Sequence, residues 1–176
     1  IATPMGRVLL KIWGIRLVVH QSEPFPRGQT VYISNHTSTI DLFALIALGL
    51  PHTRFFLSGY LRKVLPLGLI GYLIGVFWTV PQTFPAERMR IFQRAERSLR
   101  RTGDSVYLSP EGGRVTSGGI GPFNKGAFHL ATALRAPIVP LLIAIPPEID
   151  PGRGLHARSG VVHVFVKAPF DTTDWK

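Results

Sequence analysis

The sequence predicts an α/β protein in which helices flank a mixed, mainly parallel β-sheet of about seven strands. Short apolar runs rich in β-branched and aromatic residues alternate along the chain with longer helical runs. Several short runs are apolar throughout, as strands buried on both faces are. A chain of 176 residues is large enough for one domain with a real core and too short for two. We therefore expect a single domain over residues 1–176.

The individual elements follow from hydrophobic periodicity and from the Gly and Pro residues that separate them. Strands are predicted at 15–19, 30–34, 53–58, 75–80, 105–109, 137–145 and 161–167. Helices are predicted at 39–49, 60–73, 84–101 and 123–135. Pro85 suits the first turn of the helix at 84–101, and Glu87 then lies near the positive end of its dipole.

The longest uncharged stretch runs from Val64 to Ala86, which is long enough to span a membrane. Prolines and glycines interrupt it, so a helix followed by a strand is the favoured interpretation. Residues 1–20 do not resemble a secretory signal, because Lys11 and Arg16 interrupt their apolar run. The chain begins at Ile1, and we expect a fragment that lacks native terminal segments.

Composition narrows the functional classes. With 45% hydrophobic and 17% charged residues the chain is not disordered, and the absence of cysteine excludes disulfides and thiolate metal sites. The formal net charge of +10 predicts an anionic partner, which could be nucleic acid, anionic lipid or a phosphorylated substrate. The predicted helix at 84–101 is rich in arginine; this is either a solvated outer face or a contact for anionic headgroups or carrier phosphates.

A histidine follows the second predicted strand in "ISNHTSTID". Ser38 and Asp41 fit a capping box at a helix start, and that interpretation leaves His36 unexplained. Asp41, in the first helical turn, could also orient the His36 ring and hold its tautomer, which makes the other ring nitrogen a base for a hydroxyl proton. An imidazole ordinarily titrates near ~6.5, which suits that role. The stretch alone leaves both interpretations open.

A second polar loop, "YLSPEGGRVTSGG", follows the strand at 105–109. Glu111 and Arg114 flank Gly112 and Gly113, whose small size permits close approach of backbone to a ligand. Arg114 can bind a phosphate bidentately, although a glycine-rich surface loop explains the composition equally well. Lys125 begins the next predicted helix, where its charge opposes the dipole unless it faces an anion.

Taken together, "NHTSTID", "SPEGGR" with "FNKGAF", and "APIVPLLI" resemble the glycerolipid acyltransferases, the lysophosphatidate (1-acylglycerol-3-phosphate) acyltransferase family. The order and spacing agree over nearly the whole chain. The resemblance implies that His36 is the general base and Asp41 its orienting partner, and that the acceptor hydroxyl attacks a thioester of coenzyme A or acyl carrier protein. It implies no metal and no cofactor beyond that co-substrate.

The resemblance also assigns the second loop to the acceptor. Glu111, Gly112, Gly113 and Arg114 correspond to the acceptor-binding motif, in which the arginine contacts the phosphate, and Lys125 is expected to assist. The implied partners are the acyl donor thioester, a lyso-lipid acceptor and a membrane surface, with no nucleic acid. The implied location is the cytoplasmic face of the bacterial inner membrane. Segments 1–19 and 60–80 are the candidates for membrane docking.

The remaining histidines show no metal-binding spacing, and the family gives them no role. They are His20, His52, His129, His156 and His163.

The chain departs from the family pattern at two places. Gly113 stands where the family usually has threonine, and "VPQ" places Pro81 and Gln82 where the family has a basic residue that grips phosphate. Arg62, Lys63 or Arg88 would then have to supply the missing charge. An acceptor without the glycerol phosphate, such as a lyso-aminolipid, is the alternative. Two further alternatives are a non-catalytic basic module that binds membrane or nucleic acid, and an inactive family member used as a scaffold.

Overall fold

The computed structural model describes residues 2–65, 67–116, 119–150 and 157–175. Within them lie β1 (Ile15–Gln21), β2 (Val31–Ser34), β3 (Thr53–Ser58), β4 (Phe77–Thr79), β5 (Ser105–Leu108), β6 (Ile138–Ala144) and β7 (Gly160–Val166). The helices are α1 (Ala2–Ile12), α2 (Ile40–Leu48), α3 (Leu67–Leu73), α4 (Pro85–Thr102) and α5 (Gly126–Leu134), with a 3₁₀-helix at Gly59–Lys63.

The described strands form one 7-stranded sheet in the order β1-β7-β6-β2-β5-β3-β4. Neighbouring strands are parallel except β6 and β7, which pair antiparallel. The predicted mixed, mainly parallel α/β sheet is therefore confirmed. Because β2 to β6 run in one direction, their carboxyl ends meet at one edge, where ligands of open α/β sheets gather.

Two apolar clusters cover the two faces of this sheet. Alternating side chains of the fully buried β2 divide between them, with Tyr32 in the first cluster and Val31 and Ile33 in the second. The first cluster includes the buried side of α2, and the second includes Leu99 of α4 and Leu130 of α5. Burial on both faces explains why the central strands are apolar throughout.

The structure contains one helix that the sequence did not predict. In α1, a Cβ added to Gly6 would come within 2.8 Å of the backbone of Ala47, so the helix packs closely against α2. Arg7 donates to the Ala47 carbonyl at 3.3 Å, and Leu10 is buried. The short run "MGRVLL" is too brief to distinguish a helix from a strand by periodicity.

The single helix predicted at 60–73 was wrong. A 3₁₀-helix ends at Lys63, Val64 is extended, and α3 begins at Leu67. Proline sterically disfavours a helical conformation in the preceding residue, and Leu65 precedes Pro66, which itself lies outside the described residues. The rest of the uncharged stretch is a helix followed by a strand, as predicted. Among the described helices, none has both the length and the apolar character needed to cross a membrane.

Candidate active site

The turn that follows β2 is held to the sheet by an asparagine that the sequence reasoning did not single out. Asn35 is buried, and its side-chain amide donates to the Ile143 carbonyl at 2.9 Å while its oxygen accepts the Ile143 N–H at 2.8 Å. The backbone pairing of β2 with β6 ends at Ser34. One residue later, the Asn35 side chain takes over the role of the backbone by bonding both polar groups of Ile143. His36, which comes next, leaves the sheet from a fixed point.

Ser38 and Asp41 form the predicted capping interactions at the start of α2. The Ser38 hydroxyl accepts the Ile40 N–H at 2.9 Å, and Oδ2 of Asp41 accepts the Ser38 N–H at the same distance. Oδ2 also accepts the N–H of Thr37 at 2.7 Å. One carboxylate oxygen therefore closes the turn from inside and satisfies donors at the helix N-terminus.

The same oxygen binds the histidine. Nδ1 of His36 lies 2.9 Å from Oδ2 of Asp41, and the side chains are 33% and 1% exposed, respectively. With Nδ1 bound to a carboxylate, Nε2 carries the lone pair of the neutral ring, and no hydrogen-bond partner occupies Nε2 in the described part of the chain. The predicted pair is thus assembled, with the buried carboxylate orienting a ring that is one-third exposed.

Glu111 connects the second loop to the first. Its Oε2 accepts the backbone N–H of His36 at 2.6 Å, and its Oε1 accepts the N–H of Gly121 at 2.7 Å. Glu111 is buried, so both oxygens are engaged with backbone rather than presented to solvent. This geometry gives Glu111 a positioning role at the histidine; direct contact with the acceptor stays a prediction.

Arg114 is brought to the start of α2. Nη1 of this exposed side chain lies 3.2 Å from the Thr39 hydroxyl, and the next residue, Val115, donates its N–H to the His36 carbonyl at 2.8 Å. The loop turns at Gly112, whose φ of +70° favours glycine. The predicted phosphate-binding arginine and the predicted base therefore share one edge of the sheet.

Gln82 lies over this glycine. A Cβ added to Gly112 would come within 2.6 Å of Nε2 of Gln82 and 2.9 Å of Nδ2 of Asn124. Asn124 is occupied by the loop, since it donates to the carbonyls of Pro110 and Glu111 at 2.9 and 3.1 Å. The uncharged residue that departs from the family pattern therefore contacts the predicted acceptor loop.

The remaining predicted site residues also follow the carboxyl ends of the strands. Gly113 of the second loop is exposed. Among the predicted cations, Lys125 is exposed and immediately precedes α5, as predicted. Arg62 and Lys63 are exposed at the end of the 3₁₀-helix that follows β3. Arg88 is partly buried; burial lowers its pKa, and Nη1 donates to the Val80 carbonyl at 2.9 Å. Because that bond ties its guanidinium to the chain, Arg88 is the least available substitute for a phosphate-gripping residue.

The structure brings two of the remaining histidines together across the β1–β7 pair. Nε2 of His20 lies 2.9 Å from Nδ1 of His163. The two strands are at one end of the sheet, and β6 and β2 separate them from β5. His52 and His129 are exposed, and His156 lies outside the described residues. Among those residues, no three His, Cys, Asp or Glu side chains cluster as a metal site would require.

An open cleft of about 290 Å³ adjoins the His36 turn. Asn35 and Thr37, which flank the histidine, line one part of it. Apolar side chains line much of the rest, including Val115, Leu142, Ile143 and Ile145.

The family model described as Acyltransferase matches residues 16–144, which include the His36 turn, the Glu111 loop and Lys125. The chain belongs to the acyltransferase family. It is 27% identical over 173 residues to a 1-acyl-sn-glycerol-3-phosphate acyltransferase of Cocos nucifera, a match that covers 97% of this chain and 55% of that protein. It is 32% identical over 152 residues to a chloroplastic enzyme of that name from Brassica napus, over 84% of this chain and 43% of the relative.

A solved structure confirms the fold of this acyltransferase-family chain. The crystal structure of the 1-acyl-sn-glycerophosphate acyltransferase PlsC from Thermotoga maritima superposes with a TM-score of 0.85 at 19% identity, covering 99% of this chain and 69% of that one. The chain spans about half the length of the curated relatives described above.

Proposed function

We propose that this chain transfers a fatty acyl group from a thioester of coenzyme A or acyl carrier protein to the hydroxyl of a lysophospholipid. The observation that carries the proposal is the His36–Asp41 pair, a partly exposed histidine oriented by a buried carboxylate at the carboxyl edge of the sheet. Relatives named 1-acyl-sn-glycerol-3-phosphate acyltransferase support the reaction class.

In the proposed reaction, Nε2 of His36 takes the proton of the acceptor hydroxyl as its oxygen attacks the thioester carbonyl. A C–O bond forms, and the collapsing tetrahedral intermediate breaks the C–S bond. The thiolate of the donor leaves and takes the proton from the imidazolium, which restores neutral His36. The buried carboxylate of Asp41 stabilises the imidazolium between these steps.

The placement of Arg114 supports a phosphate-bearing acceptor. Its guanidinium contacts Thr39, next to the helix that carries Asp41, and the helix N-terminus adds a positive potential. A phosphate there would hold a neighbouring hydroxyl near His36. Lys125 and the backbone amides of the Gly112 turn would complete the anion site.

One observation favours a second acceptor class, a lyso-lipid without phosphate. Gln82 presents a neutral carboxamide at Gly112, where a cation would otherwise neutralise phosphate, and Arg88 is tied to Val80. A carboxamide donates and accepts hydrogen bonds, which suits the amide or hydroxyl groups of an aminolipid.

The α3 helix supports a location at a membrane surface. A Cβ added to Gly71 would meet the Trp78 ring at 2.5 Å, and one added to Gly68 would come closer still to the Arg62 carbonyl oxygen, so the glycines of α3 face the protein. Leu69, Tyr72 and Leu73 of the same helix face solvent instead. We define the docking face as Tyr60, Leu65, Leu69, Tyr72 and Leu73, each 57% to 82% exposed. Exposed Arg62 and Lys63 beside it suit anionic headgroups, such as those of the cytoplasmic leaflet of a bacterial inner membrane.

One assay tests the reaction and the acceptor together. The purified protein is incubated with acyl-CoA or acyl carrier protein thioester and with lyso-lipids that carry or lack a phosphate monoester, and thiol release is followed. His36→Ala should lower turnover by a factor on the order of 10²–10⁴ while the circular dichroism spectrum is unchanged. His129→Ala, on the exposed side of α5, is the matched control. Full activity of His36→Ala would exclude the mechanism, and nucleic acid binding without thioester consumption would favour a basic binding module.

A further inference from the structure

A second buried carboxylate touches the His36 turn. The hydroxyl of Ser38 donates to Oδ2 of Asp150, which lies on the segment that follows β6 and is only 8% exposed. The backbone holds this segment in place, since the N–H of Asp150 donates to the Pro146 carbonyl at 3.2 Å. Ser38 and Asp150 are far apart in the chain, so only the fold brings them together.

The bond to Asp150 determines what the Ser38 hydroxyl can do. A serine hydroxyl has one proton, and here it is directed at Asp150 while the oxygen accepts the Ile40 N–H at 2.9 Å. That proton is therefore not available to Asp41. Asp41 Oδ1 is buried without a hydrogen-bond partner among the described residues, so the hydrogen bonds that hold this carboxylate are those made by Oδ2.

Ser38 also touches the catalytic pair directly. Its backbone N–H donates at 2.9 Å to the Asp41 oxygen that holds Nδ1 of His36. A chain of hydrogen bonds thus runs from Asp150 through Ser38 and Asp41 to His36. A displacement of Ser38 would move the oxygen that orients the ring, and small displacements of a catalytic group lower rates steeply.

We propose that Asp150 is a positioning residue for the reaction, which acts through Ser38 to orient the Asp41–His36 pair. This inference rests on the proposed acyl transfer. Asp41, held in place in this way, stabilises the imidazolium that forms when His36 takes the proton. Neither Asp150 nor Ser38 contacts the reacting atoms in this scheme.

A double-mutant cycle tests the proposal. Asp150→Asn and Ser38→Ala should each lower kcat by about tenfold with little change in either KM, because they displace the base without removing a substrate contact. The double variant should be no slower than the slower single variant, since both remove the same link. Ser38→Thr keeps the hydroxyl and should restore most of the rate. Losses that multiply to about 100-fold would overturn the relay through Ser38.

A surface pair provides the matched control. Oδ1 of Asp171 accepts the Thr173 hydroxyl at 2.9 Å, so Asp171→Asn removes the same kind of bond away from the site. It should leave kcat unchanged. In Asp150→Asn, the acid limb of the kcat/KM profile should move to lower pH, because an Asp41 carboxylate displaced from Nδ1 of His36 stabilises the imidazolium less. A change in thermal stability alone would not move that limb, and an unmoved limb would overturn the positioning role.

A readout that does not require turnover separates this proposal from the reaction itself. The His36 ring is titrated by NMR in wild type and in the three single-site variants Asp150→Asn, Ser38→Ala and Asp171→Asn. The midpoint should fall in the first two and stay in place in the third. Identical midpoints in all four proteins would refute the positioning role. If the midpoints of Asp150→Asn and Ser38→Ala shift as expected but the wild-type protein transfers no acyl group, only the proposed function is refuted.

Discussion

The carboxylate of Glu111 accepts the backbone N–H of His36 at 2.6 Å, so the loop after β5 grips the turn after β2 at the proposed catalytic residue. Its other oxygen accepts the N–H of Gly121 at 2.7 Å, on the far side of the same loop. The two sequence motifs are therefore one structural unit rather than separate catalytic and acceptor-binding sites.

Glu111→Ala should lower the free energy of unfolding by about 3 kcal/mol, because two backbone amides lose charge-assisted hydrogen bonds in a buried setting. If Glu111 positions His36, kcat should fall while KM for the acceptor changes little. Urea denaturation and steady-state kinetics measure the two effects. A large rise in acceptor KM at unchanged kcat would instead show that Glu111 binds the acceptor.

Asp41→Asn should lower kcat by a factor on the order of 10²–10⁴, because the amide cannot hold the ring through an anionic acceptor or stabilise the imidazolium. It also removes an acid from the first turn of α2. Glu87→Gln in the first turn of α4 is a matched control for that helix-dipole effect, and it should cost about 0.5 kcal/mol or less and no activity. Wild-type turnover in Asp41→Asn would contradict the catalytic pair.

Arg114→Ala should raise KM for a phosphate-bearing acceptor by about tenfold or more, since a charge-assisted bond to phosphate is lost. KM for a phosphate-free lyso-lipid should stay the same, and Arg97→Ala on the exposed face of α4 should change neither value. An equal rise for both acceptor classes would show that Arg114 supports the loop rather than the phosphate.

Gln82→Arg should shift selectivity towards the phosphate-bearing acceptor, because it introduces a cation beside Gly112. The ratio of kcat/KM for the two acceptor classes is the measurement. The conservative variant Gln82→Asn, which keeps the amide but shortens it, should not produce that shift. An unchanged ratio in Gln82→Arg would show that residue 82 does not influence acceptor selectivity.

Replacing Leu69 and Tyr72 together by Asp should weaken binding to phosphatidylglycerol vesicles at least about tenfold, because two apolar contacts become charged. Met89→Asp changes an equally exposed apolar residue of α4 outside the docking face and should bind as wild type. Vesicle co-sedimentation measures both. Wild-type binding by the double variant would show that α3 does not contact the membrane.

Burial raises the pKa of the Tyr107 hydroxyl, which lies 2.9 Å from the Ser34 hydroxyl beneath the active-site edge. Burial raises the pKa of Tyr32 as well. A raised pKa means that the unfolded chain ionises first, so stability is fully present below about pH 10 and falls as the pH rises further. Tyr107→Phe should make that alkaline decline shallower in denaturation curves measured between pH 8 and 11. An equally steep decline would exclude Tyr107 as its source.

Local signals determined most of the fold. The apolar β-branched runs predicted the described strands close to their observed positions, and for the central strands β2 and β5 the reason is that burial on both faces requires such residues. The turn chemistry of "NHTSTID" predicted the capping bonds, and the family resemblance then implied the bond from His36 to Asp41; all of these join residues near one another in the chain. Only the amphipathic α1 and the break before α3 were missed, where short runs and one proline control the backbone.

Long-range contacts were decided by the tertiary structure alone. The family resemblance assigned Glu111 to the acceptor, and the pairing of β2 with β5 also places its carboxylate on the His36 backbone. Likewise, no local pattern joins Asn35 to Ile143, Gln82 to Gly112 or Ser38 to Asp150. These pairs depend on which strands become neighbours, and a side chain's residue type does not encode that order. The sequence by itself therefore determined which groups could do the chemistry, and packing of the parallel strands decided which of them support it.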